Sequence, residues 1–310
     1  MKKGILALGI LLMMSAGMYY FLKQTKSSIF SNITIKTNTK AFSRTILEED
    51  TWKKWWPGKV VVNASNDSSA FEYNGCAYKI TEKRFSSLIV SIAEHDAKFI
   101  SELMFIPIAS DSLNLIWSSK PFQGGINFKD KTTKINKDLE TIMGAIQAFY
   151  ATESNIYGLQ IEKKHVVDSM LISTSVQLNT YPTTATIYPM IDNLKSFARV
   201  NGAKETGYPM LNIYKTDKIN YKVQVALPVD KKLQDKGDIH YRWMLGGGNI
   251  LISEVKGGTH SINKALDEME KYVADYGRVS PAIPFQSLVT DRRAESDTSK
   301  WVTRLYWPVM

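Results

Sequence analysis

The chain has 310 residues, of which 44% are hydrophobic and 22% charged, with a formal net charge of +9. That length predicts two domains of ordinary globular composition, each able to bury a core, and excludes a disordered or low-complexity chain. The basic residues are interspersed with acidic ones, as where Lys231-Lys232 lies between Asp230 and Asp235, so the charge predicts a solvated basic surface and no nucleic-acid partner.

The single cysteine, Cys76, excludes an internal disulfide and a multi-cysteine metal site. His95, His165, His240 and His260 lack the paired spacing of metal ligands, so neither metal nor cofactor is expected.

Residues Gly4 to Leu22 form an uncharged run of 19 residues, preceded by Lys2-Lys3 and followed by Lys23. A bilayer core takes about 20 apolar residues as a helix, and the flanking lysines favour a cytoplasmic N-terminus. This predicts a membrane anchor over 1–24 and a single-pass protein whose body is periplasmic or extracellular. A cleaved signal peptide is the competing reading, with Ser15-Ala16-Gly17 as the small-residue site, although Tyr19-Tyr20-Phe21 suits an interfacial aromatic belt better.

A polar linker over 25–31 leads into a first domain expected over 32–155. Ile33 to Thr37 alternates like a strand, Arg44 to Trp56 reads as short helices rich in tryptophan, and Pro57-Gly58 ends them. Strand-like runs follow at Ala77 to Ile80, Ser87 to Ala93, Ile100 to Ile106 and Ser112 to Trp117. Asn136 to Tyr150 then places Leu139, Ile142, Met143, Ile146, Phe149 and Tyr150 on one helical stripe. That order, with Trp52, Trp55 and Trp56 at its opening, resembles the START-like helix-grip family of polyketide cyclases and lipid-transfer proteins. The resemblance implies a curved antiparallel sheet closed by a long helix, with an apolar cavity between them or a core filled by the tryptophans.

The C-terminal half contains an internal repeat. Leu194 to Gly202 is followed by Pro209, and 75 residues on Met269 to Gly277 is followed by Pro284. Each copy continues with a strand (Met210 to Tyr214, Phe285 to Val289), a loop with an aspartate (Asp217, Asp291), and a closing strand ending in Pro228-Val229 or Pro308-Val309. First strands are expected near Met170 to Leu178 and Asn249 to Val255. Two βαββ copies, about 168–230 and 248–310, predict a pseudo-twofold domain over 156–310 with a ligand cleft between its halves. The fold class expected is therefore α+β: a transmembrane helix, a helix-grip sheet domain and a duplicated βαββ domain.

Val223 to Val229, Val255 to His260, and Asp291 followed by Trp301 to Val309 resemble the gyrase-inhibitor-like, AraC-effector-binding domains that act as small-molecule sensors. That resemblance implies a glutamate two residues before a tyrosine on the strand preceding Asp291. Here Gln286-Ser287-Leu288 stands instead, so the neutral amide cannot balance a ligand cation or serve as a general base.

Binding of a small hydrophobic or aromatic ligand is thus expected, with Tyr188, Tyr214, Trp243, Gln286, Leu288 and Trp307 as candidate pocket residues, each with core packing as its bland alternative. No catalytic residues are assigned. A hydrolase or isomerase, or a purely structural module, remain the alternatives, and a membrane protein partner is left open. Gly246-Gly247-Gly248 and Gly257-Gly258 lack phosphate-loop spacing and are read as turns.

Overall fold

The computed structural model describes residues 13–14, 26–63, 68–123, 126–167, 169–217, 219–244 and 246–310. The chain divides into two compact units, Met1–Thr152 and Glu153–Met310.

In the first unit, strands β1 (Lys26–Ser27) and β2 (Phe30–Lys36) precede helices α1 (Thr39–Ile46) and α2 (Glu49–Trp55). Strands β3 (Lys59–Asn63), β4 (Ser68–Tyr73), β5 (Cys76–Lys83), β6 (Ser87–Glu94), β7 (Ala97–Ala109), β8 (Ser112–Ser119) and β9 (Phe122–Gln123) follow, and helix α3 (Ile126–Tyr150) ends the unit. Seven strands form an antiparallel sheet in the order β2-β8-β7-β6-β5-β4-β3. Period-two burial along β7 and β8 faces Phe99, Leu103, Leu115 and Trp117 inward.

Asn38 caps α1 by accepting from the Ala41 amide at 3.0 Å. Helix α3 is tied to β2 by Gln147 Nε2 donating to the Thr34 carbonyl at 2.9 Å, and its buried stripe runs Ile135, Leu139, Ile142, Ile146, Tyr150.

Aromatic side chains fill this unit. Trp52 is fully buried, lies 5.9 Å from Trp56 in a stacked arrangement, and meets Phe71 and Trp117 at 5.3 and 6.1 Å. Its Nε1 donates to the Ile46 carbonyl at 2.8 Å, and Trp56 Nε1 donates to the Glu72 carbonyl at 3.0 Å. Strand β4 comes so close to Gly58 that a Cβ there would lie 2.0 Å from the Glu72 carbonyl oxygen.

The second unit opens with α4 (Glu153–Tyr157), whose Tyr157 packs against Tyr272 and donates to Asp275 at 3.0 Å. Strand β10 (Glu162–His165) leads into the first βαββ copy: β11 (Ser169–Leu178), α5 (Thr184–Val200), β12 (Met210–Lys215) and β13 (Tyr221–Val229). After β14 (His240–Met244) comes the second: β15 (Asn249–Lys256), α6 (Thr259–Asp275), β16 (Phe285–Leu288) and β17 (Val302–Val309). One eight-stranded antiparallel sheet joins them in the order β10-β15-β17-β16-β12-β13-β11-β14. The copies meet where β12 pairs with β16, Leu211 opposite Gln286, so a pseudo-twofold axis runs between those strands.

The expectation of an N-terminal transmembrane helix, and with it of a single-pass protein with an extracytoplasmic body, is corrected. Among the described residues no helix is long and apolar enough to cross a membrane. Helix α3, at 25 residues, has the length but carries Lys129, Asp130, Lys131, Lys134, Lys137, Asp138 and Glu140. Of the run 4–22, only Met13 and Met14 belong to the described residues; the rest lies outside them. The architecture is α+β with two large antiparallel sheets and a two-stranded antiparallel pair of β1 with β9.

Candidate functional site

The second unit covers only one face of its sheet with helices. Along β13 the alternation sends Val223, Val225, Leu227 and Val229 into the core under α5, together with Ile187, Ile191 and Leu194 of that helix. The intervening Gln224 and Ala226, with Leu171 and Ser173 of β11, belong to the opposite face.

On that helix-free face lies a cavity of about 830 Å³. Its floor comes from both copies: Met210, Asn212 and Ala226 from the first, Ile250, Phe285 and Pro308 from the second. Segments Arg242 to Met244 and Pro281 to Ile283 form its walls. The wide floor reflects small residues at Ser173 and Ala226, where large ones would fill the space. Phe285 is held in place by stacking on Tyr306, with ring centroids 4.8 Å apart and planes 9° apart. Among its described lining residues Arg242 alone is charged, and none is a carboxylate, histidine, lysine or cysteine. Such a lining can hold an apolar molecule and orient it through Ser173, Asn212, Gln224 and Asn249.

On the helix-bearing face a smaller pocket, about 320 Å³, opens between the N-terminal ends of α5 and α6 near the pseudo-twofold axis. Thr183 and Thr184 line it from α5, Thr259 and Ile262 from α6, and Gln286 and Arg292 from the second copy. Gly257 delivers the chain into α6 with φ +137°, and a Cβ there would lie 2.6 Å from Ser261 Oγ, so that turn demands glycine.

Arg292 donates from Nη2 to Thr303 Oγ1 at 3.0 Å, and its guanidinium sits 4.9 Å from the Trp301 ring. Burial lowers its pKa below the ordinary arginine value. Burial also raises Tyr181, whose hydroxyl donates to Asn263 Oδ1 at 3.3 Å.

The six residues singled out in the sequence do not share one cavity. Trp243, 62% exposed, lines the large cavity, and Gln286 lines the small pocket on the other face. Tyr188 is buried, with its hydroxyl accepting from the Arg292 amide at 2.7 Å and the Arg293 guanidinium 4.4 Å over its ring. Leu288 belongs to the core under α5. Tyr214, 60% exposed, follows Asn212 by two positions, beyond the cavity lining. Trp307 lies on β17 with its Nε1 buried and without an acceptor among the described residues.

Sequence reasoning passed over Arg292, Thr184 and Trp301, and the small residues Ser173 and Ala226. Alternation of small or polar residues with Ile172, Val223, Val225 and Leu227 was the available signal for a sheet face left uncovered by helices.

No family model matches the chain, and no curated protein matches it. Among solved structures, the chain is similar to the EcmrR C-terminal domain at 18% identity and a TM-score of 0.43, over 49% of this chain and 98% of that one. It is also similar to EcmrR in a complex with DNA, at 16% identity and a TM-score of 0.45, over 59% and 69%. A hydrolase from Listeria innocua is similar at 11% identity and a TM-score of 0.38, over 49% and 92%. At these TM-scores the likenesses carry no argument about this chain, and the functional reading rests on the site's own geometry. The expected absence of a nucleic-acid partner gains no support from the DNA complex.

Proposed function

We propose that the second unit binds a small hydrophobic or aromatic molecule in the cavity on the helix-free face of its sheet. One observation carries this reading: a space of about 830 Å³ floored by apolar and small side chains from both βαββ copies, with a few hydrogen-bonding groups among them. Trp243 is the residue proposed to lie flat against the ligand at the edge, and Asn212 and Gln224 are proposed to fix its orientation. With Arg242 as the charged side chain among the described lining residues and no side-chain carboxylate among them, a cationic ligand meets no side-chain counter-charge, so neutral compounds are favoured over cations.

A thermal-shift comparison of the full chain with Ala226→Trp, against neutral and cationic aromatic compounds, tests this. Ligand binding to the folded state raises the melting temperature by mass action. Stabilisation of the wild type by neutral compounds, lost in Ala226→Trp, is the expected outcome. Stabilisation that persists in the variant, or none with any compound, overturns the reading.

A further inference from the structure

We infer that the small pocket between the helix N-termini is a second, separate binding site, and that it takes an oxyanion: a carboxylate or phosphoryl group. Three features of the pocket, independent of the apolar cavity, lead there.

The first is the pair of helix ends. Both α5 and α6 are 17 residues long, and neither has a side-chain cap at its start: the Thr183 and Gly258 positions make no capping hydrogen bond. Thr183 donates or accepts only toward Thr186 Oγ1, at 3.2 Å, and glycine has nothing to offer. Thr184 and Thr259, the first residues of the two helices, line the pocket, and with no side chain capping either start the two positive dipole ends face one space.

The second is Gln286. The residue is 4% exposed, lines the pocket, and its side-chain amide hydrogen-bonds no group among the described residues. That amide is therefore open to the pocket, where a ligand oxygen would accept from its Nε2.

The third is Arg292. Its neighbour Arg293 is paired with Asp291 and Asp192 at 3.0 and 2.7 Å, whereas Arg292 has no carboxylate partner among the described residues. It is steadied by Thr303 and Trp301, both of which leave its charge uncompensated. A guanidinium held in a partly desolvated pocket beside two helix N-termini is a positive site awaiting a counter-charge. The neutral Gln286 suits such a site: a glutamate there would put a second negative charge into the same pocket and oppose an anion.

The test is calorimetric titration of the full chain, at ionic strength fixed with chloride, with inorganic phosphate, benzoate and its neutral isostere benzamide. Wild-type protein binds phosphate or benzoate at millimolar concentrations or tighter, and whichever is tighter identifies the headgroup. Arg292→Gln and, independently, Gln286→Glu weaken that binding by at least about tenfold. Arg292→Lys retains part of it, because the charge stays while the fork is lost. Gln286→Glu guards against a folding failure in Arg292→Gln, since it keeps the side-chain volume.

Absence of binding in the wild type overturns the proposal, as does binding that survives in both charge-altering variants. Benzamide affinity falling in step with benzoate would also overturn it, because the pocket would then be selecting the ring and not the charge. Ala226→Trp, which fills the cavity on the opposite face, leaves phosphate binding unchanged, so this proposal and the apolar-ligand reading fail separately.

Discussion

The two units use the same materials, an antiparallel sheet and helices laid on one face, and end with opposite interiors. In the first, large rings face inward: Trp52, Trp117, Phe71 and Tyr78 are fully buried, with Trp52 meeting Phe71 and Trp117, and Trp117 meeting Tyr78. In the second, Ile, Val and Leu pack under the helices while Ser173 and Ala226 occupy the other face, and a cavity remains. The difference teaches that residue size at alternate strand positions, more than strand count or topology, decides whether a sheet face becomes core or site.

The sharpest way to break the contrast is to hollow out the first unit. Trp52→Ala removes the ring that four aromatic neighbours pack against, and a cost of about 3–5 kcal/mol in urea unfolding, followed by near-UV circular dichroism, is expected. Ligand binding by the second unit should be unaffected.

A smaller loss is expected from Lys134→Met. Lys134 Nζ lies 2.7 Å from Glu94 Oε1, and Glu94 is buried, with its Oε2 already lacking a partner. Removing the lysine strands the carboxylate, at about 2 kcal/mol by the same unfolding measurement.

Filling the second unit reverses the experiment. Ala226→Trp should weaken neutral aromatic ligands by at least about tenfold, equivalent to about 1.4 kcal/mol, in calorimetric titration, and leave the fold intact because the new ring enters open space.

The smallest effect concerns the loop beside α5. Hydrogen bonds from Arg293 hold the Asp291 carboxyl below its ordinary range. The stabilisation is therefore present above the unfolded-state value, near 4, and fades as pH falls through the lower folded value. Both side chains are substantially exposed, so Asp291→Asn should cost about 0.5 kcal/mol near neutrality and nothing once wild-type Asp291 is protonated, read from melting curves across acid pH.

Much of this architecture was legible in the sequence for local reasons. The Pro228-Val229 and Pro308-Val309 endings mark β13 and β17 because each closes an alternating strand. Helix α3 begins at Ile126 and not near Asn136, because residues 129–134 carry four charges and two threonines and leave little apolar periodicity there to mark a helix. The apolar composition of 4–22 led to a membrane helix that is not found among the described residues.

The sites were harder to read. Tyr188 and Leu288 look like pocket residues by type, but burial under α5 makes them core. The polar pocket depends on Thr184 and Thr259, 75 residues apart, being brought together by the pseudo-twofold pairing of β12 with β16, and on Arg292 lacking the partner that Arg293 has. None of these is a property of a local window.

The central claim is that the cavity on the helix-free face of the second unit is a ligand site. The most direct test is methyl NMR of the full chain labelled at its 12 methionines, titrated with a neutral aromatic compound that stabilises it. Met210, Met244 and Met310 line the cavity, whereas Met143 and Met269 are buried in the two cores. The account predicts saturable shifts of the first three with the last two unmoved. Shifts at Met143 or Met269 with Met210 and Met244 silent would contradict it.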